Sequence, residues 1–319
     1  MTNQTEDLTI PAVDARQGAD EVMSPIVVTA ATGKTGRRVN AMLSELRLPT
    51  LPVSRSSEVP FTWEDESTWP TVLAGAGACY LAYAPDLALP DAAAAVAGVA
   101  AEAVRQGVNR IVLLSGRGEP GALVAERAVQ EIAPSATVVR CSFFAQNFSE
   151  GAFADEVRTG QLSLPVDGVG EPFVDADDVA AVAVAALTEP GHEGQIYEVT
   201  GPELLTFAGA SEAIAAGASI PVAFSPVPLE AWISTLAAEG VPPEMVDLLT
   251  HLFTEVLDGR NDWVGDGVVR ALGRPPRSFA AYVEEAAAAG AWTSSAVDED
   301  ESDGSPAAAA RPVDRGNVA

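Results

Sequence analysis

Short apolar runs alternate with stretches of helical period through the first two-thirds of this chain. Residues 26–29, 51–54, 78–82, 110–114, 137–139 and 195–199 read as strands, with 61–63 as a further short one. Arg110-Ile111-Val112-Leu113-Leu114 shows no alternation, the mark of a strand buried on both faces. Helical patterns fall at 35–46, 91–106, 123–132 and 175–187, the last with Asp175 or Asp177 as its cap. Strands separated by helices of this size form βαβ units, so the fold class is α/β with a doubly wound parallel sheet. After about Thr200 the strand signals thin out. Patterns at 207–216, 229–239, 243–257 and 278–289 predict a small, mainly helical C-terminal lobe over one edge of the sheet.

The loop Ala30-Ala31-Thr32-Gly33-Lys34-Thr35-Gly36 joins the first strand to the first helix. Strand, glycine turn and helix N-terminus in that order cradle a phosphate. Gly33 and Gly36 fill the second and third glycine positions of a dinucleotide pattern, and Thr32 and Thr35 flank them. Ala30 holds the first position, which alanine accepts only with φ below zero. A P-loop is disfavoured, because Val28 stands where that motif needs glycine. Lys34 is the chain's one lysine. It either touches a phosphate or is a solvated first-turn residue. Ala30 lies four residues before it, so a Tyr-x-x-x-Lys pair is impossible in this chain.

Cofactor choice is read at the end of the second strand. An NAD enzyme places an acid there; this chain has Ser54-Arg55-Ser56-Ser57. Arg55 can pair with a 2′-phosphate and the serines can hydrogen-bond it, with Arg37 and Arg38 nearby on the first helix. The expected cofactor is therefore NADP(H) rather than NAD(H). The alternative is that Arg55 is a surface turn residue.

Net charge sharpens this point. At −27 over 319 residues, the surface repels nucleic acid and anionic membranes, so neither is an expected partner. The same field opposes NADP entry, which raises the weight of each arginine near the loop. Cys79, Cys141, His192 and His251 lack metal-ligand spacing, so no metal site is expected. Both cysteines sit in apolar runs and read as buried free thiols of a cytoplasmic protein. No apolar stretch is long and clean enough to span a bilayer.

Several segments together resemble the NmrA-like, atypical short-chain dehydrogenase/reductases. They are residues 26–39 around the glycine loop, Phe143-Phe144-Ala145-Gln146-Asn147-Phe148 after Val138-Val139-Arg140, the stretch 171–180, and Tyr197-Glu198-Val199-Thr200-Gly201-Pro202. The likeness covers about residues 25–292. It implies a Rossmann-type NAD(P)-binding domain over 25–200 and a substrate lobe over 201–292, not fully separate from it. Segments 1–24 and 293–319, acidic or Ala/Pro-rich and aperiodic, read as disordered tails. The family includes quinone reductases, iminium reductases of the ergot-alkaloid type and cofactor-sensing regulators. This chain departs from its pattern at Ala30 and at Cys141, which replaces a common proline.

Ligands of such sheets bind outside the carboxyl ends of the strands. Ala82-Tyr83 after the fourth strand, Ser115 after the fifth, and Cys141, Phe143 and Phe144 after the sixth therefore line the expected nicotinamide site. Ser115 is a hydrogen-bonding serine or a turn cap. Tyr83 is a proton donor or a pocket wall. Glu126 acts as an acid if buried, and otherwise lies on a solvated helix face. The phenylalanines shape an apolar pocket or pack the core. Asn147 bonds substrate or a loop backbone. An electron-poor acceptor needs no strong protein acid, so two readings stand. One is an NADPH-dependent reductase of a small apolar, activated acceptor: a quinone, iminium ion or enone. The other is a non-catalytic sensor of NADP(H) that reports to a regulatory protein partner. Homo-oligomerisation is compatible with either.

Overall fold

The computed structural model describes residues 24–151 and 153–293. Apart from Ser24 and Thr293, the two segments read as tails lie outside the described residues. In chain order the elements begin β1 (Ile26–Val28), α1 (Lys34–Glu45), β2 (Thr50–Pro52), α2 (Trp69–Leu73), β3 (Ala78–Leu81), α3 (Ala92–Arg105), β4 (Arg110–Gly116), α4 (Pro120–Ile132) and β5 (Thr137–Cys141). Then follow α5 (Asn147–Glu150), α6 (Ala154–Thr159), β6 (Gln161–Leu164), α7 (Ala176–Thr188), β7 (Ile196–Val199), α8 (Phe207–Ala218), β8 (Ala223–Pro226), α9 (Leu229–Ala238), α10 (Pro243–His251), α11 (Gly267–Leu272) and α12 (Phe279–Ala288).

The main sheet has six strands in the order β2-β1-β3-β4-β5-β7, all parallel. Val27 pairs with Leu51 on one side and Cys79 on the other, so the winding direction reverses between β1 and β3. That switch point opens a crevice at the carboxyl ends of the two strands. Helices α2, α3 and α4 bury one face of the sheet with Val27, Cys79, Ile111 and Leu113. Helices α1, α7 and α11 bury the other with Val28, Tyr80, Val112 and Val139. Both faces being covered explains why these strands are continuous apolar runs. Asp175 caps α7, accepting from the Asp177 N–H at 2.9 Å.

The lobe is drawn from two stretches, not only from residues after 200. Phe143, Phe148, Phe153, Leu162, Leu164 and Phe173 share one core with Phe207, Trp232, Phe253, Phe279 and Trp292. Its backbone includes a two-stranded parallel sheet of β6 and β8 that the sequence pattern did not announce. Each strand is four residues long, and β8 is no more than half-buried, so its alternation is weak.

Three expectations fail locally. Residues 61–63 are not a strand: Phe61 plugs the core while its N–H bonds Ser54, and Trp69 Nε1 donates to the Thr62 carbonyl at 2.9 Å. The apolar signal there marks an anchored loop. The helix expected over 243–257 ends at His251 and widens into a π-turn over Leu252–Val256, which carries Leu252, Phe253, Val256 and Leu257 into the core. Finally, Ala30 has φ of 47°, in the left-handed region that alanine was expected to avoid.

Candidate functional site

The cleft at the β1/β3 switch point has a volume of about 350 Å³. Ala30, Thr32 and Gly33 from the first loop, Ser54 and Arg55 from the end of β2, and Ala84 and Pro85 from beyond β3 line it. Thr29 fixes its floor: its hydroxyl donates to the Tyr80 carbonyl at 3.0 Å and accepts from the Ala82 N–H at 2.8 Å. Gly33 is the N-cap of α1 without a side-chain cap, and the first turn carries no acid. That leaves the positive end of the helix dipole for an anion. Gly36 cannot be replaced, since a Cβ there would overlap the Ala30 carbonyl. The turn thus packs directly on the helix, a cradle suited to a pyrophosphate. Thr35 is buried beneath it.

Arg55 is exposed at the cleft, with Ser54 and Ser56 in hydrogen-bond range of one another at 3.4 Å. The other expected cations go elsewhere. Lys34 is buried, not solvated, and its Nζ donates to Asn147 Oδ1 at 2.6 Å. Arg37 and Arg38 both pair with Glu150, and Arg38 also with Asp177 at 2.6 Å. These contacts lock α1 to α5 and α7. Asn147 is fully buried, and its amide oxygen accepts from the lysine.

A second cavity, about 20 Å³, adjoins the cleft at Pro85. Tyr83, Leu114, Ser115, Gly116 and Cys141 line it, which brings the ends of β3, β4 and β5 together. Tyr83 is half-buried and packs on Trp63 with ring centroids 5.1 Å apart. Burial, with Glu64 and Asp91 nearby, pushes its hydroxyl above the usual range, so it stays protonated where it lines the cavity. Cys141 is buried and its thiol is raised well above normal by that burial, so it is held neutral. Ala82 is buried behind the wall. Phe143 reaches a neighbouring cavity of about 10 Å³ with Arg117, Glu119 and Glu171. Phe144 does not line these cavities; it is a core residue against the α7 face.

Ser115 Oγ donates to Glu126 Oε1 at 2.5 Å. Glu126 is buried, contrary to a solvated helix face, yet Arg140 holds both its oxygens. Arg140 also pairs with Glu198, which pairs with Arg117 at 3.2 Å. The Glu126 hydrogen bonds raise Arg140 above its usual range. Glu126 is therefore paired with Arg140 while it accepts the Ser115 hydroxyl. Arg117 stacks 3.8 Å from the Trp263 ring centroid and ties the β4 turn to the loop before α11.

Two residues that sequence reasoning passed over stand in the second cavity. Asp86 and Glu119 each have 3% exposure, and their carboxyls hydrogen-bond each other. Burial raises both above the usual carboxylate range, and Glu119 is raised further by the charge of Asp86. Among the described residues, no group of three or more His, Cys, Asp and Glu could hold a metal ion. Nor, among them, is a helix long and apolar enough to cross a membrane.

No family model matches the chain. It is 30% identical over 286 residues to an NAD(P)H azoreductase of Xenophilus azovorans, a match covering 83% of this chain and 98% of that protein. The fold superposes on an NADPH-dependent quinone oxidoreductase of Escherichia coli solved with NADPH, with a TM-score of 0.69, 18% identity and coverage of 82% and 99%. It also superposes on Nmra, a negative transcriptional regulator solved with NAD, with a TM-score of 0.63, 14% identity and coverage of 82% and 95%. With the glycine cradle, the switch-point cleft and the strand order, these likenesses have one meaning: the chain belongs to the NmrA-like, atypical short-chain dehydrogenase/reductase family.

Proposed function

We propose that this protein is an NADPH-dependent oxidoreductase acting on a small apolar, activated acceptor without a Tyr/Lys pair. One observation carries the reading. The switch-point cleft, with Arg55 at its outer end, leads past Pro85 to a cavity bounded by Tyr83, Ser115 and Cys141. A dinucleotide laid along Gly33–Gly36 would put its 2′-phosphate by Arg55 and its nicotinamide beside Ser115. Bound NADPH supplies the hydride; the chain orients it and excludes water. The azoreductase relative and the quinone oxidoreductase fold support an electron-poor acceptor. The buried free thiols agree with a reducing, cytoplasmic setting.

The rival reading, a cofactor sensor, is favoured by the narrowness of the Ser115 cavity, about 20 Å³. The decisive assay loads the full chain with NADPH and offers quinones, enones, iminium ions and azo compounds. Loss of reduced-nicotinamide absorbance with at least one class is the expected result. Tight NADPH binding with no turnover across the panel would reject the reductase and leave the sensor.

A further inference from the structure

We propose that Asp86 and Glu119 form a carboxylic acid–carboxylate pair that donates the proton completing reduction, which favours neutral acceptors such as quinones and enones over iminium ions. This rests on the reductase reading above and adds a proton donor to it.

The geometry is specific. Asp86 lies three residues beyond Tyr83, and Glu119 three beyond Gly116. Gly116 makes room for the second carboxyl: a Cβ there would overlap Glu119 Oε1. Both side chains line the cavity that holds Tyr83, Ser115 and Cys141. Asp86 Oδ1 accepts from the Ala88 N–H at 2.7 Å, which fixes it in place. Asp86 Oδ2 and Glu119 Oε2 are buried and receive no N–H or O–H from any other described residue. Neither carboxyl is paired with a cation among the described residues. Two carboxyls in contact in a buried site cannot both ionise, so one proton lies between them. Asp86, with its backbone hydrogen bond, is the better anion. Glu119 is the better acid.

Other titratable groups face the pair from each side. His251 of α10 faces Asp86. Tyr83 and Cys141 stand across the same cavity, and Arg117 and Glu171 across the adjoining one with Glu119. Arg117 is committed to Glu198.

The proton balance separates neutral acceptors from the iminium ion. When a quinone or enone takes a hydride at carbon, the π pair moves to oxygen and the cofactor is oxidised. The new O–H bond forms with the Glu119 proton, the Glu119 O–H bond breaks, and the pair regains a proton from water. An iminium ion becomes a neutral amine on taking hydride, and the pair has nothing to add.

The test compares wild type, Glu119→Gln and Asp86→Asn in two ways. First, the cofactor-free proteins are titrated by infrared spectroscopy. A protonated carboxyl at neutral pH should appear in wild type and be reduced in each variant. Second, the NADPH-saturated proteins reduce a quinone, an enone and a preformed cyclic iminium ion. The kcat for quinone and enone should fall by about 10²- to 10⁴-fold, the usual worth of a positioned acid. The quinone-to-iminium ratio of kcat should fall at least about tenfold. Wild-type quinone kcat should decline as pH rises through the pair's titration, and the variants should lose that limb. An equal loss on all acceptors, an unchanged pH profile, or no protonated carboxyl in wild type would overturn the proposal. Wild type inert toward every acceptor would instead overturn the reductase reading itself. If Glu119→Gln fails to fold, Asp86→Asn carries the same tests, because it leaves Glu119 without an anionic neighbour to share its proton.

Discussion

Glu171 offers a sharp test of the electrostatics around the site. It joins the lobe to the sheet: its backbone pairs with Leu205, and its Oε1 accepts from the Phe143 N–H at 3.1 Å. The side chain is buried, and Oε2 has no hydrogen-bond partner. Burial pushes this carboxyl from 4.5 up to about 7, although the Phe143 N–H and the Arg117 charge pull the other way. The folded state therefore binds a proton that the unfolded chain has lost. Where the native state holds more protons, stability falls as pH rises. The contribution is intact below 4.5 and is lost as pH climbs through about 7. The rise from 4.5 to about 7, at about 1.4 kcal/mol per pH unit, makes the loss about 3 kcal/mol. That is a large fraction of a typical folding free energy.

Glu171→Gln is the perturbation. The amide oxygen still accepts from Phe143, and the group no longer titrates. Urea unfolding at a series of pH values, for both proteins, gives the difference in stability as a function of pH. Asp86, Glu119 and Asp175 are also raised by burial, and they tilt both curves alike. The difference curve isolates Glu171. It should rise by about 3 kcal/mol in favour of the glutamine variant between acid and neutral pH. A flat difference curve would refute the reasoning and mean that water or Arg117 neutralises the buried charge.

Two further perturbations probe the cofactor loop. Arg55→Ala should weaken NADPH binding about tenfold, roughly 1.4 kcal/mol for one exposed charge-assisted contact, and leave NADH binding unchanged; an unaltered ratio of the two dissociation constants removes Arg55 from cofactor selection. Ala30→Gly relieves a left-handed alanine, worth about 1–2 kcal/mol, against about 0.5–1 kcal/mol of added backbone entropy in the unfolded chain. The variant should melt higher by an amount equivalent to about 0.5–1 kcal/mol, and a lower melting temperature would show that the alanine methyl packs usefully enough to outweigh its strain.

Much of the sheet was legible because parallel strands covered on both faces must be apolar throughout. The runs at Val27, Cys79 and Val112 left few other assignments. The glycine loop was legible because backbone approach to a phosphate tolerates so few residues. Where the pattern failed, the cause was long-range. Phe61 and Trp63 have strand-like composition, but their partners are Ser54 and Tyr83, and together they brace a loop. Lys34 and Asn147 are 113 residues apart, and the Arg38–Asp177 contact spans 139. No local spacing encodes such pairs. Asp86 and Glu119 look like ordinary turn carboxylates in one dimension. The one available signal was Gly116, a small residue three positions before an acid at the end of the longest strand.

The arginines explain how a chain this acidic can still hold an anion. Most cations near the sheet are already balanced: Arg37 and Arg38 by Glu150 and Asp177, Arg140 by Glu126 and Glu198, Arg117 by Glu198. These pairs build the scaffold and contribute little net potential to the cleft. Among the described residues lining the cleft, Arg55 is the one cation, and Glu64 lines it as well. The attraction for a dinucleotide then comes from the uncapped start of α1 and from a single exposed guanidinium. Both act over short range, against a long-range repulsion from the −27 surface. Salt screens the long-range field more than the close contacts. Added salt should therefore weaken NADPH binding less here than in a family member with a basic cleft, and a modest rise in ionic strength should speed its association.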